Sequence, residues 1–379
     1  MFGESRPARV RRVNFMPLAA RAAAVKVLAR PCGARIAGPL PEGCRLCEQG
    51  AKMVLFVTGL CSFHCFYCPV SDEKMYRDGV FANERSVRSD EDVLAEARAM
   101  GAAGAGITGG DPLEVPDRVA HYIDLLKGEF GKGFHTHLYT MTADLARIRT
   151  VAAGGLDEIR FHPPPGMWAR MEASGFPAAV KESRRLGMAV GLEVPLIPDR
   201  LDDLKRMIAW AEGERLDFVN LNELEYSDAN YARLGVRDYR RKDEMAYGVT
   251  GCDAGAEEIL RSPHAITVHY CTSAYKDGWQ LRERIKRAAE HVAQPWDVVT
   301  EDGTLIKGIV IGDDLEAILG MLRRHRVAAD LMSVNPGRKR VEVAAWVLER
   351  LAGRLDAECF VVEEYPTADG LEVGRQRLP

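Results

Sequence analysis

The sequence of 379 residues is 47% hydrophobic and 28% charged, with a formal net charge of −4. This composition is ordinary for a globular protein, and no stretch approaches the ~20 apolar residues of a membrane span, which argues against a membrane protein. Six of the nine cysteines lie between Cys32 and Cys68, with no apolar secretory segment before them. Because reducing compartments keep thiols free to bind metal, the pattern predicts a cytoplasmic metalloprotein and not a disulfide scaffold.

Residues 1–52 are predicted to form a basic arm that runs into a cysteine-containing segment. No acidic residue occurs from Arg6 to Arg35, whereas arginines and lysines are frequent there. An acid-poor arm of this kind could be a transit peptide, an RNA-contacting arm or a solvated face. The solvated face is the default interpretation.

In residues 53–293, apolar runs alternate with amphipathic segments, which is typical of successive βα units and a parallel sheet. The predicted strands cover residues 53–60, 105–108, 135–141, 156–162, 188–195, 217–224 and 265–271. This number is below the eight strands of a closed barrel, so we predict an α/β fold built on a partial (β/α)6-type TIM barrel. The irregular stretch 225–263 is predicted to be a long functional loop beside the barrel mouth.

The character of the sequence changes after residue 293, and residues 294–379 predict a small α+β domain. A hairpin at 298–310 turns at Asp302-Gly303 and is followed by a helix, a short strand, another helix and a strand at 359–363. Two basic clusters in this region, at 323–326 and 338–340, are interpreted as solvated surface.

The strongest chemical signal is the segment Cys61-Ser-Phe-His-Cys65-Phe-Tyr-Cys68, which follows the first predicted strand. Three thiolates on one short loop can ligate three irons of a [4Fe-4S] cube and leave the fourth iron open for a cofactor or substrate. Zinc is the alternative, but the spacing differs from zinc-type cysteine pairs.

The C-x3-C-x2-C spacing, with aromatic Tyr67 before the last cysteine, resembles the signature of the radical S-adenosylmethionine (radical SAM) superfamily. The resemblance implies that the open iron chelates S-adenosylmethionine (SAM) and that one electron from the reduced cluster cleaves it. A 5′-deoxyadenosyl radical then abstracts hydrogen from a substrate, and a ferredoxin- or flavodoxin-type protein donates the electron. The barrel portion also resembles archaeal proteins related to glycyl-radical-enzyme (pyruvate formate-lyase) activases, through Cys-Phe-Tyr-Cys-Pro and Thr-Gly-Gly-Asp-Pro-Leu.

The second of these phrases closes the second predicted strand. Thr108-Gly109-Gly110-Asp111-Pro112 resembles the Gly-Gly-Glu-Pro motif that binds the methionyl amino group of SAM, with Asp111 in place of the usual Glu. Two glycines let backbone carbonyls come close to an ammonium group, and Pro112 fixes the turn. Taken alone, the motif could be a plain βα turn.

Polar residues near the ends of later strands are further candidates, because the carboxyl ends of barrel strands face the active site. By their superfamily positions, His162 and Glu193 are predicted to contribute to cofactor binding. Any of these polar residues could instead be a satisfied core group or a helix cap. The other candidates of this kind are Arg160, Asn220, Asn222 and Glu223.

Cys32, Cys44 and Cys47 form a second set of thiols before the first strand. We predict an auxiliary metal site here, an iron–sulfur cluster or zinc, with Cys271 or His269 as a further ligand. The order of the first three cysteines is similar to that of the N-terminal auxiliary cluster of 4-demethylwyosine synthase. Inert thiols are the alternative.

The resemblance predicts a radical SAM enzyme without naming its substrate. Modification of an RNA nucleotide, activation of a protein or peptide, and rearrangement of a small molecule all stay open. The basic arm favours RNA slightly, whereas the nearly neutral chain argues against extensive phosphate contact. A metal-binding protein that only binds a partner is the non-enzymatic alternative.

Overall fold

The structure is a computed structural model and describes residues 26–379. The arginines that dominate the predicted basic arm lie outside the described residues: Arg9, Arg11, Arg12 and Arg21. None of the helices described between residues 26 and 379 has the length and hydropathy that a membrane span requires.

A single eleven-stranded sheet forms the larger part of the molecule. In chain order its strands are β1 (Val27–Ala29), β2 (Arg35–Ala37), β3 (Lys52–Phe56), β4 (Phe81–Ala82), β5 (Arg85–Ser86), β6 (Gly104–Thr108), β7 (His135–Thr140), β8 (Glu158–Phe161), β9 (Ala189–Leu196), β10 (Phe218–Glu223) and β11 (Thr267–Cys271). Their order across the sheet is β1-β2-β11-β10-β9-β8-β7-β6-β3-β4-β5. The run from β11 to β3 is parallel throughout, and its seven strands are the seven that the sequence predicts.

The sheet does not close on itself. At one end β3 pairs with antiparallel β4, and at the other end β11 pairs with antiparallel β2, so β3 and β11 are not neighbours. The prediction of a partial barrel is therefore confirmed. The strands β1 and β2 come from the cysteine-containing segment, which thus extends the main sheet.

Helices connect the strands of this sheet. They are α1 (Glu42–Glu48), α2 (Asp90–Ala99), α3 (Pro116–Phe130), α4 (Leu145–Ala153), α5 (Phe176–Arg185), α6 (Leu201–Gly213), α7 (Tyr231–Gly235), α8 (Cys252–Arg261), α9 (Ser273–Tyr275) and α10 (Arg282–Val292), with a π-helix (Lys276–Leu281) between the last two. The prediction that 225–263 is irregular throughout is wrong, because α7 and α8 lie within it. Gly251, at a φ of +94°, lets the chain turn into α8.

The two faces of the parallel strands differ in chemistry. Apolar residues of one face, such as Leu138, Leu192 and Leu221, pack against the helices in the main core. The alternate residues face the barrel interior and are largely polar. Because burying a polar group costs free energy unless it is hydrogen-bonded, a polar interior of this size suggests a ligand-binding role.

The remaining strands form a separate antiparallel sheet. Its elements are β12 (Val298–Val299), β13 (Leu305–Ile311), α11 (Leu315–Arg324), β14 (Met332–Asn335), β15 (Arg340–Val343), α12 (Ala345–Leu351), β16 (Glu358–Glu364) and β17 (Glu372–Arg377), in the order β14-β15-β13-β16-β17 with β12 on β13. The predicted hairpin and the predicted strand at 359–363 are present, whereas β15 and β17 were not predicted. The domain boundaries at 52/53 and 293/294 stay predictions.

Candidate active site

The loop after β3 carries the three cysteines of the predicted cluster motif. Cys61, Cys65 and Cys68 are all partly exposed and line a cavity of about 410 Å³. The backbone N–H of Phe63 donates to Cys61 Sγ at 3.4 Å, and the N–H of Cys68 donates to the carbonyl oxygen of Cys65 at 3.2 Å. These turns direct all three thiols into one cavity.

Burial raises the pKa of Cys61 to about 11 and also raises the pKa of Cys65. Neutral thiols are therefore favoured at neutral pH, and a bound metal would be needed to stabilise the thiolates. Between residues 26 and 379, no group of three or more His, Cys, Asp or Glu side chains already stands close enough to hold a metal ion.

The glycine turn after β6 packs directly on the cysteine loop. The N–H of Gly110 donates to the carbonyl oxygen of Thr58 at 2.8 Å, and the N–H of Asp111 donates to that of Leu60 at 2.9 Å. A Cβ at Gly109 would lie 2.4 Å from Thr58 O, and one at Gly110 would lie 2.3 Å from Leu60 O. Both positions therefore require glycine.

The carboxylate of Asp111 stabilises this turn through three hydrogen bonds. It accepts hydrogen bonds from Leu113 N at 3.0 Å, Thr140 Oγ1 at 2.8 Å and Met141 N at 3.0 Å. Burial raises the pKa of Asp111, although these three donors stabilise its charged form. The side chain is fully engaged with the protein, and Pro112, which follows it, is buried in the first turn of a short 3₁₀ helix.

Tyr67 and His162 form a polar pair in the cavity wall. The hydroxyl of Tyr67 lies 2.9 Å from His162 Nε2, and both residues line the cavity. Burial lowers the pKa of His162 and raises that of Tyr67, so both are neutral at pH 7. The carbonyl oxygen of Tyr67 accepts from the amide of Asn230 at 3.1 Å, which anchors the cysteine loop to the segment after β10.

Glu193 is the centre of a charged network in the interior. It accepts from Arg160 at 2.6 Å and from the amides of Asn220 and Asn222 at 3.0 Å each. Burial opposes ionisation, but the charge of Arg160 and the two amides together lower the pKa of Glu193 to about 2. Arg160 also pairs with Glu158 at 2.5 Å, so most of the predicted strand residues meet in one network.

Glu223 is held apart from this network. Its carboxylate accepts from Ser273 N at 2.8 Å and contacts Lys242. Glu223 still lines the cavity, together with Glu225, whose carboxylate lies 2.8 Å from the ammonium of Lys276.

Several residues of the site were not predicted. Lys52 and Tyr139 line the cavity floor, with Lys52 Nζ donating to the tyrosine hydroxyl at 3.3 Å. The alternation His135-x-His137-x-Tyr139 on a predicted strand was a signal that could have revealed the polar interior. Arg233 of α7 donates to the carbonyl oxygens of Cys68 at 3.2 Å and Cys65 at 3.5 Å. This contact joins distant parts of the chain, so no local sequence pattern could have predicted it.

The second set of thiols comes from α1, from β11 and from the turn between β1 and β2. Cys44 and Cys47 project from α1, and the buried Cys271 ends β11. The thiol of Cys47 donates to Gln280 Oε1 at 2.9 Å, and Gln280 Nε2 lies 3.9 Å from Cys271 Sγ. Cys32 is exposed, on the turn between β1 and β2.

The fold and the three-cysteine loop define the class of the protein, a radical SAM enzyme. Within that class, the chain belongs to the family of a protein from Methanocaldococcus jannaschii that carries the provisional name of glycyl-radical enzyme activating enzyme. The two sequences are 33% identical over 361 residues, which is 90% of this chain and 92% of that protein. In addition, a family described as a domain of unknown function (DUF8061) matches residues 303–378.

Solved structures with weaker similarity include three further enzymes. Streptococcus suis SuiB bound to SAM matches with a TM-score of 0.40 and 10% identity over 61% of this chain and 53% of its own, so the chain spans about half of SuiB. Methylornithine synthase matches with a TM-score of 0.39 and 13% identity over 59% of this chain and 67% of its own. Spore photoproduct lyase matches with a TM-score of 0.39 and 12% identity over 67% of this chain and 83% of its own. These scores assign neither a substrate nor a reaction to this chain.

Proposed function

We propose that this radical SAM enzyme cleaves SAM at a cluster held by Cys61, Cys65 and Cys68, and that its substrate is a protein or peptide. The observation that carries the proposal is the convergence of the three thiols on one cavity, beside the glycine turn. Three thiols from one loop are a donor set that suits a [4Fe-4S] cluster with one open iron. The cavity of about 410 Å³ is within the range of small-molecule sites.

When bound, the cluster and SAM supply the reducing electron and the 5′-deoxyadenosyl radical that abstracts hydrogen from the substrate. The protein's own residues position these groups. Thr108, Gly109 and Gly110 line the cavity next to the cysteine loop and would present backbone groups to the amino acid part of SAM. The Asp111 carboxylate fixes that turn, and Pro112 continues it into the 3₁₀ helix.

On the other walls of the cavity, Tyr67, His162 and Glu193 would contact SAM or the substrate. Neutral Tyr67 and His162 can each donate one hydrogen bond and accept another, and ionised Glu193 attracts a positively charged group. Arg233 donates to the carbonyl oxygens of Cys65 and Cys68 and so fixes the position of the cysteine loop.

The choice of a protein or peptide substrate is supported by the name of the Methanocaldococcus jannaschii relative, since an activating enzyme of this kind acts on another protein. The reaction also needs an electron donor, for which a ferredoxin- or flavodoxin-type protein is suitable. We place the enzyme in the cytoplasm, because reducing conditions keep the cysteines available as ligands.

The substrate class can be tested with extracts of a strain that lacks the gene. We expect the extract to stimulate formation of 5′-deoxyadenosine by the reconstituted and reduced enzyme, since unmodified substrate accumulates in that strain. Protease treatment of the extract should abolish the stimulation, and ribonuclease treatment should leave it unchanged. Loss of the stimulation after ribonuclease would replace the protein substrate with RNA, and its loss after dialysis alone would indicate a small molecule.

A further inference from the structure

A group of three cysteines and one histidine lies on α1 and β11, outside the loop of Cys61, Cys65 and Cys68. Its members come from two separate parts of the chain, which only the fold brings together. Cys44 and Cys47 lie three residues apart on α1, and His269 and Cys271 lie two residues apart on β11. Because alternate residues of a strand share one face, the imidazole and the thiol of β11 point to the same side of the sheet.

Contacts with common neighbours link the four side chains. Asn220 pairs with His269 in the register of β10 and β11, and its amide donates to Cys44 Sγ at 3.1 Å. Gln280 links the other two, because Cys47 donates to its Oε1 at 2.9 Å while its Nε2 lies 3.9 Å from Cys271 Sγ. The amide group of Gln280 thus lies between the two sulfur atoms.

His269 supplies an independent sign of a ligand. It is 1% exposed, and neither ring nitrogen has a hydrogen-bond partner among residues 26–379. Buried polar side chains are nearly always hydrogen-bonded, so an imidazole with two free nitrogens needs an explanation such as a bound ion or water.

The segment that carries Gln280 is itself unusual. Residues Lys276–Leu281 form a π-helix. This conformation is rare in proteins overall, but where it occurs it is often at a functional site. This π-helix places Gln280 between Cys47 and Cys271, and its first residue, Lys276, lines the main cavity. One short segment therefore contacts both the second set of thiols and the candidate active site.

From this arrangement we propose that Cys44, Cys47, Cys271 and His269 bind a second metal centre. The four side chains do not stand within metal-ligand distance of one another in this structure, so binding would displace the Gln280 amide from between the sulfurs and draw the ligands together. Three thiolates and one imidazole are a donor set for zinc or for an iron–sulfur cluster. Cys32 is exposed and is left outside the proposed set, and its role as a ligand stays a prediction from the sequence.

Metal analysis in a chain that lacks Cys61, Cys65 and Cys68 tests this proposal separately from the proposed function. We expect this triple Ala variant, reconstituted anaerobically with zinc alone or with iron and sulfide, to retain one metal centre per chain. Acid-labile sulfide then distinguishes the iron–sulfur cluster from zinc. A triple variant without bound metal under both conditions would overturn the site.

Added substitutions define the ligands. Cys47→Ala in the triple background should reduce the retained metal at least tenfold, whereas Cys32→Ala and Gln280→Ala should not. An equal loss in Cys32→Ala and Cys47→Ala would contradict the proposed donor set. Alkylation of the wild-type protein guards against misfolded variants: Cys47 should react with iodoacetamide faster after chelation of the metal, and an unchanged rate would also reject the site.

Discussion

Buried charges occur in both sheets of the molecule, but they are arranged differently. In the antiparallel sheet, Arg340 contacts Glu342 and Glu364 at 2.6 Å, and Lys307 faces the same two carboxylates at 3.7 and 3.8 Å. The interpretation of the cluster 338–340 as solvated surface is therefore wrong for Arg340, which is buried. Each of these charges has an opposite charge beside it. In the parallel sheet, Arg160 is likewise paired with Glu158 and Glu193, but the polar side chains around this group line a cavity.

The barrel interior also keeps unused hydrogen-bonding capacity. His137 Nδ1 and both nitrogens of His269 have no partner among the described residues. Helix α1 packs tightly on this region, since a Cβ at Gly43 would lie 2.5 Å from His137 Nδ1. The difference indicates that the antiparallel sheet uses buried charge for stability, whereas the barrel reserves polar groups for ligands.

The largest effect should come from removing the central cation of the barrel. Arg160→Met removes the arginine that pairs with both Glu158 and Glu193 and leaves Glu193 with two neutral amide donors, which we expect to lower the free energy of unfolding by about 3–5 kcal/mol. The matched variant Arg340→Met should cost only about 1–2 kcal/mol, because Lys307 and Arg338 still face Glu364. Urea unfolding of both variants measures this difference, and equal losses would contradict it.

Two lysine substitutions, one in each sheet region, should distinguish an effect on the rate of SAM cleavage from an effect on stability. Lys276→Met removes a positive charge that faces the cavity and leaves Glu225 without its partner, so we expect SAM cleavage to slow at least tenfold, or about 1.4 kcal/mol. Lys307→Met should leave the cleavage rate unchanged and lower the stability of the antiparallel sheet. Initial rates of 5′-deoxyadenosine formation check both, and a slow Lys307→Met enzyme would break the comparison.

The stability of the antiparallel sheet should depend on pH through Glu342. Burial works against its ionisation, but the charges of Lys307 and Arg340 hold its pKa below the unfolded value of about 4.3. Its contribution is therefore present above that pH and lost as the pH falls through the lower, folded pKa. We expect Glu342→Gln to be less stable than wild type at pH 7 and to approach it near pH 3. A constant difference in urea midpoint across this range would reject the assignment.

The smallest effects should come from helix caps, which occur in both regions. Asp144 accepts from Ala146 N and Arg147 N at the start of α4, and Asp314 accepts from Ala317 N at the start of α11. Asp144→Ala and Asp314→Ala should each cost about 1 kcal/mol of stability. Neither substitution should change the rate of SAM cleavage. A slower rate in Asp144→Ala would show that the cleavage rate also depends on residues outside the cavity.

Local patterns in the sequence predicted the barrel well. Strand positions followed from apolar runs, which predicted all seven strands of the parallel run from β11 to β3. Strand ends were less accurate: the first strand was predicted to reach Leu60 but ends at Phe56, because the chain then turns to pair with the glycine turn. Hydropathy alone does not reveal such a turn.

Contacts between distant residues could not be predicted in the same way. The cysteine spacing and the glycine turn marked the cavity, yet Arg233 lies 165 residues from Cys68 in sequence. Similarly, Gln280 lies 233 residues from Cys47, and only the fold brings the two together. Such pairs have no sequence period, so the structure was needed to identify them.

The most direct test of the central claim is SAM cleavage by the anaerobically reconstituted and reduced protein. We predict that the wild type converts SAM to 5′-deoxyadenosine and methionine, and that Cys65→Ala forms no product above the background of reductant alone. Cys359→Ala, in the core of the antiparallel sheet, is the matched control and should retain the wild-type rate. Cleavage by Cys65→Ala at the wild-type rate would contradict the assignment of the cluster to Cys61, Cys65 and Cys68.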